Sequence, residues 1–224
     1  MENLLIDRFT HTKHNTIVCP EIQSYKAFSV AQHFTATDKT MLVVMKDQKS
    51  AQSLLDDIEF FLPDAGDHLV YFPGYHLMPF KSVSYHRETS TQRMASLSKL
   101  LNCQGKKLLI VTAVNTMMQK IIPLKTFNEF MELIMVNEEV DRDNLISKLD
   151  SSGYNRSSLV EDPGEYSVRG GLIDIFVPGE THPFRIEFFG DLVESIRTFS
   201  VYSQRGLKEM AEVIIIPATE TILT

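Results

Sequence analysis

The spacing of apolar positions changes near Pro123, and the change separates two kinds of structure along the chain. Before it, short β-rich runs alternate with helical stretches. "NTIVC" reads as a strand. "SYKAFSVAQHF" then places Ala27, Ala31 and Phe34 at helical spacing, and "TMLVVM" reads as a strand of the fully buried kind. "SAQSLLDDIEFFL" sets Leu54, Leu55, Ile58 and Phe61 on one helical face, and "HLVYF" and "KLLIVTA" are strands flanking the helix "TSTQRMASLSKLL". Alternation of this kind predicts an α/β domain over residues 1–123, a parallel sheet with helices stacked on it by right-handed crossovers.

Beyond Pro123, "FMELIMV" reads as a strand and "DRDNLISKLDSSGY" as a helix that Asp141 or Asp143 can cap, with Gly153 near its end. From Ser157 the pattern is almost purely that of hairpins: "SSLVEDPGEYSVRG", "GLIDIFVPG", "HPFRIEFFGD" and "LVESIRTFS". Pro163-Gly164, Pro178-Gly179 and Gly190-Asp191 mark the turns. The expectation is a smaller α+β domain over residues 124–215, rich in antiparallel hairpins, with 216–224 beginning a further segment.

Within "FRIEFFGD" the period of two puts Ile186 and Phe188 on one face of a strand and Arg185, Glu187 and Phe189 on the other. Two readings stay open on spacing alone. One is a surface ion pair beside a partly exposed phenylalanine. The other is a binding patch, because arginine and aromatic residues dominate interface hot spots, and Arg169 before Gly170-Gly171 joins it if its strand is a neighbour.

Composition narrows the class. The 224 residues, 43% hydrophobic and 23% charged, are ample for a real core. Cys19 and Cys103 stand far apart with no metal-like spacing, so neither a disulfide framework nor a zinc site is expected, and a reducing, cytoplasmic setting fits best. No apolar run approaches the roughly 20 residues of a membrane span, and "MENLLIDRFTHTKHN" has no signal pattern. A net charge of −7 argues against a broad phosphate-binding surface, which leaves a local patch of Arg87, Arg93, Lys106 and Lys107 as the weakest of the readings.

Candidate chemistry begins with a phosphate loop in frame but without its content. After "NTIVC", Lys26 of "PEIQSYKA" takes the lysine register, while Pro20 and Tyr25 stand where glycines belong and Ala27 where the magnesium-holding hydroxyl belongs. Proline removes a donor and tyrosine adds bulk where bare backbone must approach phosphate. His11 and His14 lack further ligands nearby, no serine sits in a GxSxG elbow, and the paired carboxylates belong to solvated surfaces. No active site, metal or cofactor is expected.

The stretch "VEDPGEYSVRGGLIDIFVPGETHPFRIEFFGDLVESIRTFSVYSQR", followed by "IIIPATE", closely resembles the N-terminal module of the bacterial transcription-repair coupling factors, itself related to the excision-repair protein UvrB. "YFPGYHLMPF" and "LLIVTAVNTMMQKIIP" extend the likeness over nearly the whole chain. The resemblance implies a degenerate P-loop, helicase-like first domain that leaves ATP hydrolysis to motor domains elsewhere in a longer protein. It implies a second domain that binds UvrA, with Arg169, Arg185 and Phe189 at the positions of the family's interface residues. RNA polymerase and DNA are then contacted only through regions absent here. The alternative is a UvrB-like, nucleotide-dependent helicase fragment in which Lys26 still helps bind ATP, or which binds DNA.

Overall fold

The computed structural model describes residues 22–75, 87–103 and 105–222. The chain divides into two compact units, the first running to Gly74 and resuming over Lys99–Gln119, the second made of Tyr75–Ser98 and the chain from Lys120 onward. The strand expected at "NTIVC" lies outside the described residues, as do His11, His14 and Pro20.

In the first unit, strands β1 (Met41–Met45), β2 (Leu69–Phe72) and β3 (Leu109–Ala113) form a parallel sheet in the order β1-β3-β2. Its register sets Val43 and Tyr71 on either side of Val111. Helices α1 (Gln23–Ala36) and α2 (Gln48–Phe61) bury Ala27, Phe34, Ala51, Leu54, Leu55 and Ile58 against Leu69, Leu109 and Val111. The helical spacing read from the sequence therefore faces the sheet, as expected for amphipathic helices. The carboxylate of Asp47 caps α2 by accepting from the Ser50 amide at 2.7 Å. The Lys107 ammonium closes the other end of α1, donating to the carbonyls of Phe34 and Thr37 at 2.8 Å each.

The second unit begins with α3 (Arg87–Leu101), which runs on into the resumed first unit, where the short helix α4 (Val114–Met117) lies; the second unit continues with α5 (Leu124–Glu129), β4 (Glu132–Met135) and α6 (Arg142–Ser151). Of the two candidate caps for α6 it is Asp141 that acts, accepting from the Asn144 amide at 2.9 Å. Then come β5 (Asn155–Arg156), β6 (Glu165–Arg169), β7 (Leu172–Ile175), β8 (Phe184–Phe189), β9 (Leu192–Phe199), β10 (Gly206–Met210) and β11 (Glu212–Ile215). Strands β5 to β10 make a six-stranded sheet in sequential order, and β11 pairs with β4. The architecture is α/β followed by a mostly antiparallel sheet, as the periodicity predicts.

One turn differs from expectation. Pro163-Gly164 does not close a hairpin, because β5 runs parallel to β6. The intervening loop carries Val160 into a small apolar cluster with Phe176 and Phe199, and that burial takes the chain across rather than back.

The sheet has two faces of different character. Tyr166, Ile173, Ile175, Phe184, Ile186, Phe188, Val193 and Ile196 are all buried on one. Strict alternation along β9 would not align Val193 with Ile196, three residues on. A bulge resolves this: Glu187 pairs with Ser195 but Phe188 with Val193, so Glu194 is an extra residue that restores both apolar side chains to the core face.

The segment after β11 is fastened although it has no regular structure. Tyr154 donates its hydroxyl proton to the Ile216 carbonyl at 2.7 Å, and the Ala218 amide donates to the Ser152 carbonyl at 3.0 Å. Fully buried Arg93 donates to both carboxylate oxygens of Glu220, at 2.6 and 3.1 Å, with its guanidinium carbon 4.7 Å from the ring centroid of Tyr75. Burial pushes the Tyr75 hydroxyl up to about 12.

Neighbouring residues of β8 separate packing from exposure, Phe188 being 6% exposed and Phe189 74%. Phe188→Ala should cost about 3–5 kcal/mol of stability by the penalty for emptying a core site. Phe189→Ala should cost about 0.5 kcal/mol or less. Urea denaturation of both variants checks this, and equal losses would show that the strand faces are assigned wrongly.

Candidate functional site

A single carboxylate interrupts the apolar run of β7. Asp174 lies between Ile173 and Ile175 and is 1% exposed. Strand register sets it opposite Ser167 of β6 and Arg185 of β8, on the face away from the main core. Arg185 closes a fork on it, Nε donating to Oδ1 at 2.6 Å and Nη2 to Oδ2 at 2.8 Å. Arg169, two residues beyond Ser167, donates from Nη2 to the same Oδ2. A carboxylate so buried is tolerable only because both oxygens are charge-paired and hydrogen-bonded.

The two arginines differ in how far they are fixed. Arg185 also stacks on Phe199, its guanidinium carbon 4.5 Å from the ring centroid, and donates from Nη1 to the Gln204 carbonyl at 3.3 Å. Only 13% of its side chain remains exposed. Hydrogen bonding to Asp174 holds the guanidinium pKa above its usual value. Arg169 is 45% exposed, and Asp174 is its one side-chain partner among the described residues.

The turn beside Arg169 is built for close approach. Gly170 takes φ of +56°, the left-handed value a primed two-residue hairpin needs at its first central position. A side chain on Gly171 would put Cβ 2.6 Å from the Phe188 carbonyl oxygen, and the Phe188 amide donates to the Gly171 carbonyl at 2.8 Å. Arg142 of α6 donates from Nη2 to the Gly170 carbonyl.

Phe189 follows at the end of β8, paired with half-exposed Leu192 across the next turn. It shares the face of Arg185 and Glu187 by strand alternation, about 13 Å along the strand from Arg185 at the usual rise per residue. Backbone bonds from residues 137–140 hold this hairpin, including the Asn137 amide to the Val193 carbonyl at 2.9 Å and the Val140 amide to the Asp191 carbonyl at 2.8 Å. Between the two lies Glu187, which accepts from the Ser195 hydroxyl at 3.1 Å and pairs with Arg197 at 3.6 Å. Arg169 and Arg185 thus converge on one carboxylate, and Phe189 stands apart from them on the same side of the sheet.

The other candidate residues fall elsewhere. Tyr25, Lys26 and Ala27 lie in the opening turn of α1, with Ala27 buried in the apolar core and Tyr25 exposed. The basic quartet is mostly engaged in internal bonds: Arg93 is buried on Glu220, Arg87 pairs with Glu165 at 3.1 Å and Lys107 caps α1. Arg93 is therefore not available as a surface cation. Among the described residues no cluster of metal-ligating side chains is present, and no helix is long and apolar enough to cross a membrane.

Residues 133–220 match the family described as the UvrB interaction domain, a span that holds Asp174, both arginines and Phe189. Among curated proteins the chain is 36% identical over 189 residues to the transcription-repair-coupling factor of Myxococcus xanthus, covering 82% of this chain and 16% of that protein. It is 32% identical over 180 residues to the Escherichia coli protein of that name, and 30% over 194 residues to that of Haemophilus influenzae, covering 80% and 87% of this chain. The chain is homologous to the N-terminal region of the transcription-repair coupling factors. It spans about 15–18% of the length of the relatives it matches, and the match does not extend to their motor region. The coupling-factor likeness covers both units, whereas the UvrB interaction domain match covers the face just described.

The unequal anchoring of the two arginines generates a stability difference. Arg185→Ala should cost about 3–5 kcal/mol, since it removes the fork from a buried carboxylate. Arg169→Ala should cost about 1 kcal/mol or less, since the Arg185 fork still pairs both oxygens of Asp174 and the guanidinium lost is half-exposed. Thermal melts of the two variants measure the difference.

Proposed function

We propose that this chain is the UvrA-recruiting module of a transcription-repair coupling factor, linking stalled RNA polymerase to nucleotide excision repair, and that it is not itself an enzyme. The observation that carries the reading is the single face on which Arg169, Arg185 and Phe189 stand inside the matched UvrB interaction domain. Its composition suits a protein partner: the half-exposed guanidinium of Arg169 keeps donors for a carboxylate, and exposed Phe189 beside Leu192 offers an aromatic anchor. Contacts with polymerase and DNA, and the ATP-driven motor, are assigned to the remainder of the longer relatives, in the cytoplasm. The first domain, residues 1–123, serves as a scaffold with a vestigial nucleotide fold, and the second, 124–215 with the segment to Glu220 fastened onto it, as the docking domain.

The test is calorimetric titration of UvrA into the 224-residue chain and its variants. Arg169→Ala and Phe189→Ala should each weaken binding by about 2 kcal/mol or more, roughly thirtyfold, with the fold intact by circular dichroism. Unchanged affinity in the folded double variant would remove the assignment.

Nucleotide is a separate test. Pro20, Tyr25 and Ala27 each take away an element of a working phosphate loop, so a thermal shift with millimolar Mg-ATP should show no stabilisation. Saturable stabilisation abolished by Lys26→Ala would favour the helicase-fragment alternative.

A further inference from the structure

We propose that Asp174 is a positioning residue of the docking face, fixing Arg185 as an immobile wall and presenting Arg169 to a carboxylate on the partner protein. The inference rests on the reading that this face binds UvrA. It comes from the unequal sharing of one buried carboxylate. Arg185 engages Asp174 through two nitrogens and is held besides by the Phe199 ring and the Gln204 carbonyl. Arg169 gives Asp174 one nitrogen and keeps the rest of its five-donor fork for solvent. A guanidinium tethered at one corner has lost much of its rotamer freedom before any partner arrives, so a partner carboxylate meets it with a smaller entropic penalty. The Phe188–Gly171 backbone bond and Arg142 hold the same turn, so the tether is attached to a fixed hairpin.

Charge and positioning make opposite forecasts for one substitution. The cluster carries two guanidinium charges against one carboxylate, a net of +1. Asp174→Asn raises that to +2 at almost unchanged shape. If only charge mattered, an acidic partner would bind the variant more tightly. If Asp174 positions the arginines, the variant binds more weakly, because an amide NH2 in place of Oδ2 removes the acceptor of Arg169 and of one arm of the Arg185 fork.

Asp174→Asn should weaken UvrA binding tenfold or more in the titration, and should shift the Nε–H resonance of Arg185 and speed its exchange relative to the native chain. Equal or tighter binding overturns the proposal. So does an Arg185 resonance unchanged by the substitution. Should the variant fail to fold, the native chain decides: its Arg185 Nε–H must exchange with solvent far more slowly than that of Arg169, and equal rates overturn the proposal. A native chain that fails to bind UvrA sinks the recruitment reading alone, since the resonance arm reads the positioning role without a partner.

Discussion

A carboxylate inside a β-sheet has to be neutralised where it sits, and the second unit is arranged around that requirement. Asp174 interrupts the apolar β7, and the strands on either side each supply a cation. Register is therefore tightly constrained. A slip of one residue would turn Arg185 into the apolar core and bring Ile186 opposite the buried charge. An ionic site of this type is weak evidence for stability, since apolar replacements often do as well. What it does here is fix two arginines of neighbouring strands on one carboxylate.

The same sheet keeps its core face apolar and its outer face charged through local devices. The extra residue Glu194 restores the inward phase of β9, and the small cluster of Val160, Phe176 and Phe199 gives the outer face a patch of core of its own. On that patch Arg185 can lie flat. Packing inward and exposure outward are thus divided between adjacent positions of the strand.

Much of this was legible in the sequence. Helical spacing at Leu54, Leu55 and Ile58, and the alternation of Ile186 and Phe188 against Phe189, follow from burial on one face of a regular element. Local periodicity carries no information about which distant strands adjoin. The parallel pairing of β5 was missed for that reason, since Pro163-Gly164 has the look of a hairpin turn. Asp174 did leave a signal, a lone carboxylate within "LIDIF", but its partners lie on other strands and only topology names them. Arg142 left none. Arg93 read as an available cation because nothing local distinguishes a buried arginine from an exposed one when its carboxylate is 127 residues away.

The fastening of the segment after β11 bears on where this domain can be cut. Pro217 to Glu220 contains no helix or strand, and a boundary chosen by secondary structure would fall at Ile215. Such a cut would strip the carboxylate from a guanidinium with no access to water and free the carbonyl that receives the Tyr154 hydroxyl. A stretch of irregular backbone thus behaves as an inner part of the fold, and any excised version of the second unit has to carry it.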